Sequence, residues 1–145
     1  MILEALNYSA SLAATPAEFR HHVKSSVRLW ARGNRLRSEW AEHEANTKAH
    51  IVRSVSTLKQ RRTAVVLGSG LLRDVPIREL IASFDTVVLV DLVHLASVRF
   101  WAGLHGKGKV RLISRDVSGF PESVASNATD ALAFLRLVDY QDFVA

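Results

Sequence analysis

Three short stretches of this sequence carry residue types that could do chemistry. Gly68-Ser69-Gly70 follows the β-branched run Thr63-Ala64-Val65-Val66-Leu67, and Asp91 closes a second such run, Thr86-Val87-Val88-Leu89-Val90. Asp91 lies 23 residues beyond Gly68, close to the spacing of a nucleotide-binding strand–helix–strand unit. Glycines at such a turn let the backbone approach a ligand where a Cβ would collide. A carboxylate at the tip of the second strand can accept both hydroxyls of a ribose. A third run, Val110-Arg111-Leu112-Ile113-Ser114, stops just before Asp116 and Val117.

Two ligand classes share this pattern. A dinucleotide carries a pyrophosphate, which calls for a third glycine and a helix N-terminus inside the motif. Here the third position is Arg73, and Val75 precedes Pro76, which biases it away from helical angles. The next helix is therefore expected to open at Pro76, after a loop over 71–75. That setback favours a cofactor with ribose and adenine but no phosphate, such as S-adenosylmethionine. An NAD(P)- or FAD-binding domain is the alternative from the same fold class.

Val65-Val66-Leu67-Gly68-Ser69-Gly70, Val88-Leu89-Val90-Asp91 and Arg115-Asp116-Val117 resemble the first three cofactor motifs of the class I, Rossmann-like S-adenosylmethionine-dependent methyltransferases. The resemblance runs over residues 63–117. It implies that Gly68, Ser69 and Gly70 line the methionine and ribose part of the cofactor. It further implies that Asp91 binds the ribose hydroxyls and that Asp116 or the Val117 amide meets the adenine edge. The sequence departs from the family in having Val66 where an acid usually stands two residues before the first glycine, and Leu72 in place of the loop's third glycine. Asp74 is a candidate substitute charge. A complete domain of the family has more strands than residues 63–145 hold. The sheet would then end on the strand 63–67, and the expectation is either a truncated or divergent relative, inactive alone, or a sheet completed by a second copy or a partner.

The elements that must position these residues follow from periodicity. Continuous apolar runs at 63–67 and 86–90 predict strands covered on both faces, as in parallel sheets, and 110–114 reads as a third strand. Helical spacing predicts helices over 76–84 and 95–104, and a last one beginning near Asp130. The alternation implies right-handed crossovers and a parallel sheet. The fold class is thus α/β: a helical N-terminal extension over 1–62 and an incomplete Rossmann-like unit over 63–145.

Within the extension, Thr15-Pro16-Ala17-Glu18 reads as a capping box after a loose start. Phe19, Val23, Val27 and Trp30 recur at helical spacing, and Gly33-Asn34 reads as the stop. A second helix is expected over 35–60, with Leu36, Trp40, Thr47, Ile51, Val55 and Leu58 on one face. Arg20, Lys24, Arg28 and Arg32 form an i, i+4 row, continued by Arg35 and Arg37. This row is the nucleic-acid candidate, with Trp30 as a stacking surface. A non-catalytic interaction module built on these helices is the alternative from another functional class.

Composition sets the outer limits. The chain has 145 residues, 48% hydrophobic and 23% charged, which fits one soluble domain with an appendage. With no cysteine, thiolate zinc sites, disulfides and cysteine nucleophiles are excluded. His21-His22, His43 and His94 lack metal-ligand spacing, so no metal is expected. His94, three residues past Asp91, either lines the same cleft or sits on a helix surface. The net charge of +5 is uneven: residues 1–62 carry +6 and residues 63–145 carry −1. No basic segment precedes the first apolar residues and no run is long enough for a membrane span, so a cytoplasmic location is expected.

Overall fold

The computed structural model describes residues 2–117; the helix expected near Asp130 lies outside them. Strands β1 (Thr63–Leu67), β2 (Thr86–Asp91) and β3 (Val110–Ser114) pair in parallel in the order β1-β2-β3. Val66 stands opposite Leu89, and Asp91 opposite Ser114. Parallel neighbours require crossovers, which α4 (Ile77–Ser83) and α5 (Ala96–His105) supply. Two successive crossovers in one direction put both helices on one face of the sheet. There Ile77, Leu80, Ile81 and Phe84 pack with Val87 and Leu89, joined by Trp101 of α5. Lys109, entering β3, donates to the carbonyls of Ile81 (3.1 Å) and Phe84 (2.9 Å), satisfying the end of α4 with a cation. The α/β class and the three-stranded parallel sheet are as the sequence predicts.

The expectation of strands covered on both faces holds for β2 and fails for β1. Val87 to Val90 are all buried. In β1, Ala64 and Val66 turn toward the α4 cluster, while Val65 and Leu67 remain 37% and 40% exposed. The cause is position: β1 lies at the edge of the described sheet, and α4 and α5 cover one face.

The N-terminal part is more ordered than its sequence suggests. In place of a loose start, α1 runs over Ile2–Ala14. Its role is to cap another helix. Leu95, at the N-cap of α5, has no side chain that can accept a hydrogen bond. Ser11 Oγ accepts from the Ala96 amide (2.8 Å) and Asn7 Oδ1 from the Ser97 amide (3.3 Å), which also explains why both polar side chains are buried.

The capping box does not form. Thr15 is buried and its hydroxyl donates back to the Ser11 carbonyl at 2.6 Å, so the chain passes through a 3₁₀ turn (Ala17–His22) before α2 (Val23–Arg35). Gly33 is no stop either, because it keeps helical angles inside α2; the break comes at Leu36 (φ −98°, ψ 23°). Next, α3 (Arg37–Ser56) ends four residues short of Gln60. Val23, Val27 and half-buried Trp30 of α2 pack with Val93, Leu95 and Val98. Trp30 is thus packed in a core rather than offered for stacking.

Only the far end of α3 reaches the sheet cluster, through Ile51 and Val55. Trp40, expected on that same face, is 50% exposed. Eleven residues of helix separate it from Ile51, about 16 Å, which carries it past the edge of the sheet. No helix among the described residues is long and apolar enough to cross a membrane.

Candidate cofactor crevice

The C-terminal ends of parallel strands form the rim where open α/β sheets bind ligands. At this rim β1 runs into Gly68, whose φ of +64° is left-handed backbone that glycine adopts without strain. The turn then folds back over β2: the Ser69 amide donates to the Val90 carbonyl at 3.1 Å. Gly70, at φ +47°, presents its amide to Asp91 Oδ2 at 2.6 Å. The Val93 amide approaches Asp91 Oδ1 at 3.4 Å. These bonds join Gly68, Ser69, Gly70 and Asp91 into one constellation, as the sequence predicts.

Asp91 is half-buried, and each of its oxygens meets one backbone amide. An ionised carboxylate has about four lone-pair sites, so two remain for hydroxyl donors. Gly68 has no atom within 4 Å of the position a Cβ would take. The Cβ position of Gly70, by contrast, lies 3.9 Å from Asp91 Oδ2, so a glycine borders the carboxylate that still has acceptor capacity. That combination fits the ribose end of an adenosine-type cofactor.

Asp116 and Val117 lie on the same rim. The Arg115 amide donates to the Asp91 backbone carbonyl at 3.0 Å, tying the exit of β3 to the tip of β2. Asp116 is exposed and Val117 half-buried.

His94 lies neither on a helix surface nor in open solvent: it is fully buried in the β2–α5 connection. Its Nε2 meets the Ile113 carbonyl at 3.0 Å, so Nε2 carries the proton and Nδ1 is a bare acceptor. Burial holds the ring below the usual histidine range. The Arg99 charge adds to that, against the Ile113 hydrogen bond and the Asp91 charge. Among the described residues, Nδ1 and the buried Ser69 Oγ have no hydrogen-bond partner, leaving two unsatisfied polar atoms beside the rim. Among the described residues no group of three His, Asp or Glu gathers as a metal site.

The loop over 71–75 separates this rim from the helices. As expected, α4 begins only at Ile77, with Pro76 at its N-cap, so no helix N-terminus faces the glycines. Arg73, standing where a dinucleotide motif has glycine, reaches the other way. Its Nε donates to Glu44 Oε1 of α3 at 2.7 Å, with both side chains mostly buried. The guanidinium crosses Gly33, where a Cβ would sit 3.2 Å from Nη1. The absence of a side chain at Gly33 is what makes room for this latch. Residues 44 and 73 lie 29 apart, with no local signal to pair them.

Two large clefts border the same loop. One, of about 400 Å³, is walled by Trp30, Lys48, Leu72, Pro76, Val98 and Trp101 among others. The second, of about 500 Å³, lies between α2, α3 and the loop, with Trp40, His43, Arg32 and Asp74 in its lining. Neither is lined by Gly68, Gly70 or Asp91, so neither opens onto the strand-end glycines and their carboxylate. Comparison with protein-family models, curated proteins and solved structures returns no match to this chain.

Proposed function

We propose that this chain binds S-adenosylmethionine at the strand-end rim and is methyltransferase-like. The observation that carries this reading is Asp91, whose carboxylate is fixed by the Gly70 amide and keeps acceptor sites for a pair of ribose hydroxyls. The open side of Gly68 supports it, as does the resemblance of the three strand ends to the family's motifs. The late start of α4 favours a ligand without a pyrophosphate over NAD or FAD.

When bound, the cofactor supplies a methyl group activated on a sulfonium. This chain's residues bind and orient it: Gly68, Ser69 and Gly70 along its methionine and ribose part, Asp91 at the ribose hydroxyls, and Asp116 or the Val117 amide at the adenine edge. Their contribution is positioning and exclusion of water rather than acid–base chemistry. The outer edge of β1, which pairs only with β2 among the described residues, is where a second copy or a partner would complete the sheet. A cytoplasmic location belongs to the same proposal.

The test is calorimetric titration with S-adenosylhomocysteine, with NAD for comparison and Asp91→Ala as control. Binding of the first ligand alone, lost in the variant, is the expected result. NAD binding would move the reading to the dinucleotide class. If neither binds, the rim is architecture only.

A further inference from the structure

We propose that the cleft at the α2–α3 corner binds single-stranded nucleic acid, seating one base against Trp40 and running its phosphates along the basic row of α2. That such a strand is the methyl acceptor rests on the cofactor reading above; that it binds does not.

The first observation is Trp40 itself. A tryptophan left 50% exposed inside a concave, mostly apolar cleft is an unfilled stacking surface. Leu29, Leu36 and Leu71 supply the apolar walls, and His43 stands edge-on to the indole, with centroids 5.7 Å apart. The volume of about 500 Å³ accommodates a nucleoside. Asp74, also in the lining, provides an acceptor of the kind an amino-bearing base edge requires.

The second observation is charge. The α2 segment carries Lys24, Arg28, Arg32 and Arg35 and no acidic residue. Lys24, Arg28 and Arg32 are exposed, one turn apart, and have no carboxylate partner among the described residues. Such a row disfavours the isolated helix, which a bound polyanion relieves. The row ends in the cleft, because Arg32 is part of its wall. The other guanidinium there, Arg73, is already neutralised by Glu44, so the available cation is Arg32.

A basic track leading into an aromatic seat is how sequence-tolerant single-strand binding is built. A duplex keeps its bases stacked and offers nothing to Trp40. An acidic peptide could meet the cations but not the indole. Leu71, Arg73 and Asp74 belong to the loop that follows Gly70, so the loop that leaves the strand-end rim also lines the cleft.

Fluorescence anisotropy with a labelled single-stranded RNA of mixed sequence tests this, between about 50 and 200 mM salt. Three phosphate contacts predict a log–log salt slope of about −2, at about −0.7 per contact on a single strand. Arg28→Ala with Arg32→Ala should bring that slope to about −0.7. Trp40→Ala should weaken binding about tenfold without changing the slope, and Trp40→Phe should restore most of it. All these side chains are exposed or line an open cleft, and circular dichroism of each variant checks that it stays folded. No binding by the intact chain overturns the proposal. So does equal binding of single strand, duplex and polyglutamate with no effect of Trp40→Ala, which would mark a general polyanion surface. Titrations of the intact chain with RNA and with S-adenosylhomocysteine are read separately, so failure of the cofactor reading and failure of this one are told apart.

Discussion

The strand-end rim and the α2–α3 cleft share the loop over 71–75 but are built from different materials. At the rim, backbone does the work: two left-handed glycines, four amides turned onto the end of β2, and a single carboxylate. In the cleft, long side chains from two helices and the loop do it, over the bare surface of Gly33. A site made of backbone is rigid and has few points at which a substitution can reach it. A site made of exposed side chains responds by degrees, and to salt. The Arg73–Glu44 pair, with a longer bond from Arg73 Nη1 to Asn34 Oδ1 (3.4 Å), ties the loop to the helical wall of the cleft.

Experiments can break that comparison at decreasing cost. The largest effect is expected from Asp91→Ala, which removes a charged acceptor from two hydroxyls at once. S-adenosylhomocysteine affinity should fall by about 100-fold or more, while binding in the cleft is unchanged. Parallel loss of both would show that the two sites are one.

Gly68→Ala comes next. Its methyl group meets no protein atom, so the folded state should lose only the strain of a left-handed alanine, about 1 kcal/mol. Thermal melts should register this as a drop of a few degrees, and calorimetry should show a larger loss of cofactor binding because the methyl fills the open side. Equal losses in stability and affinity would make Gly68 a conformational residue only.

Arg73→Ala and Glu44→Ala should each affect both sites, because the latch positions the loop they share. A double-mutant cycle on chemical denaturation is expected to give a coupling of about 1–2 kcal/mol for this mostly buried, charge-assisted pair. A coupling near zero would mean that the loop holds its path without α3.

The smallest effect belongs to His94. Because burial lowers its folded-state value below the unfolded one, the unfolded chain binds the proton more readily. The stability it protects is fully present above the unfolded value and is lost as pH falls through the range below it. The melting temperature should therefore decline on acidification from neutral pH, and less so in His94→Gln. A variant that declines as steeply as the parent would remove His94 as the cause.

Legibility differed by region in the same way as construction did. The three strands, the set-back helix α4 and the Gly68–Gly70–Asp91 grouping could be read directly, because each depends on local pattern and on a crossover rule with few alternatives. The N-terminal part could not. Thr15 carries a good cap signal, but its hydroxyl serves the Ser11 carbonyl. Residues 2–14 contain nothing that announces a helix needed elsewhere; their order comes from Asn7 and Ser11 closing the start of α5, 90 and 85 residues away respectively. Trp30 and Trp40 exchanged the roles expected of them for a similar reason, since which tryptophan is packed depends on where α2 and α3 cross the sheet.

Sequence alone determined the α/β class, the parallel order of the strands and the placing of glycine and acid at adjacent strand tips, because hydrophobic runs and turn chemistry act over a few residues. Only the tertiary structure decided which face of β1 stays exposed, which amides Asp91 holds, and where Arg73 goes. Those outcomes depend on partners brought together from distant parts of the chain, whose meeting no local preference encodes.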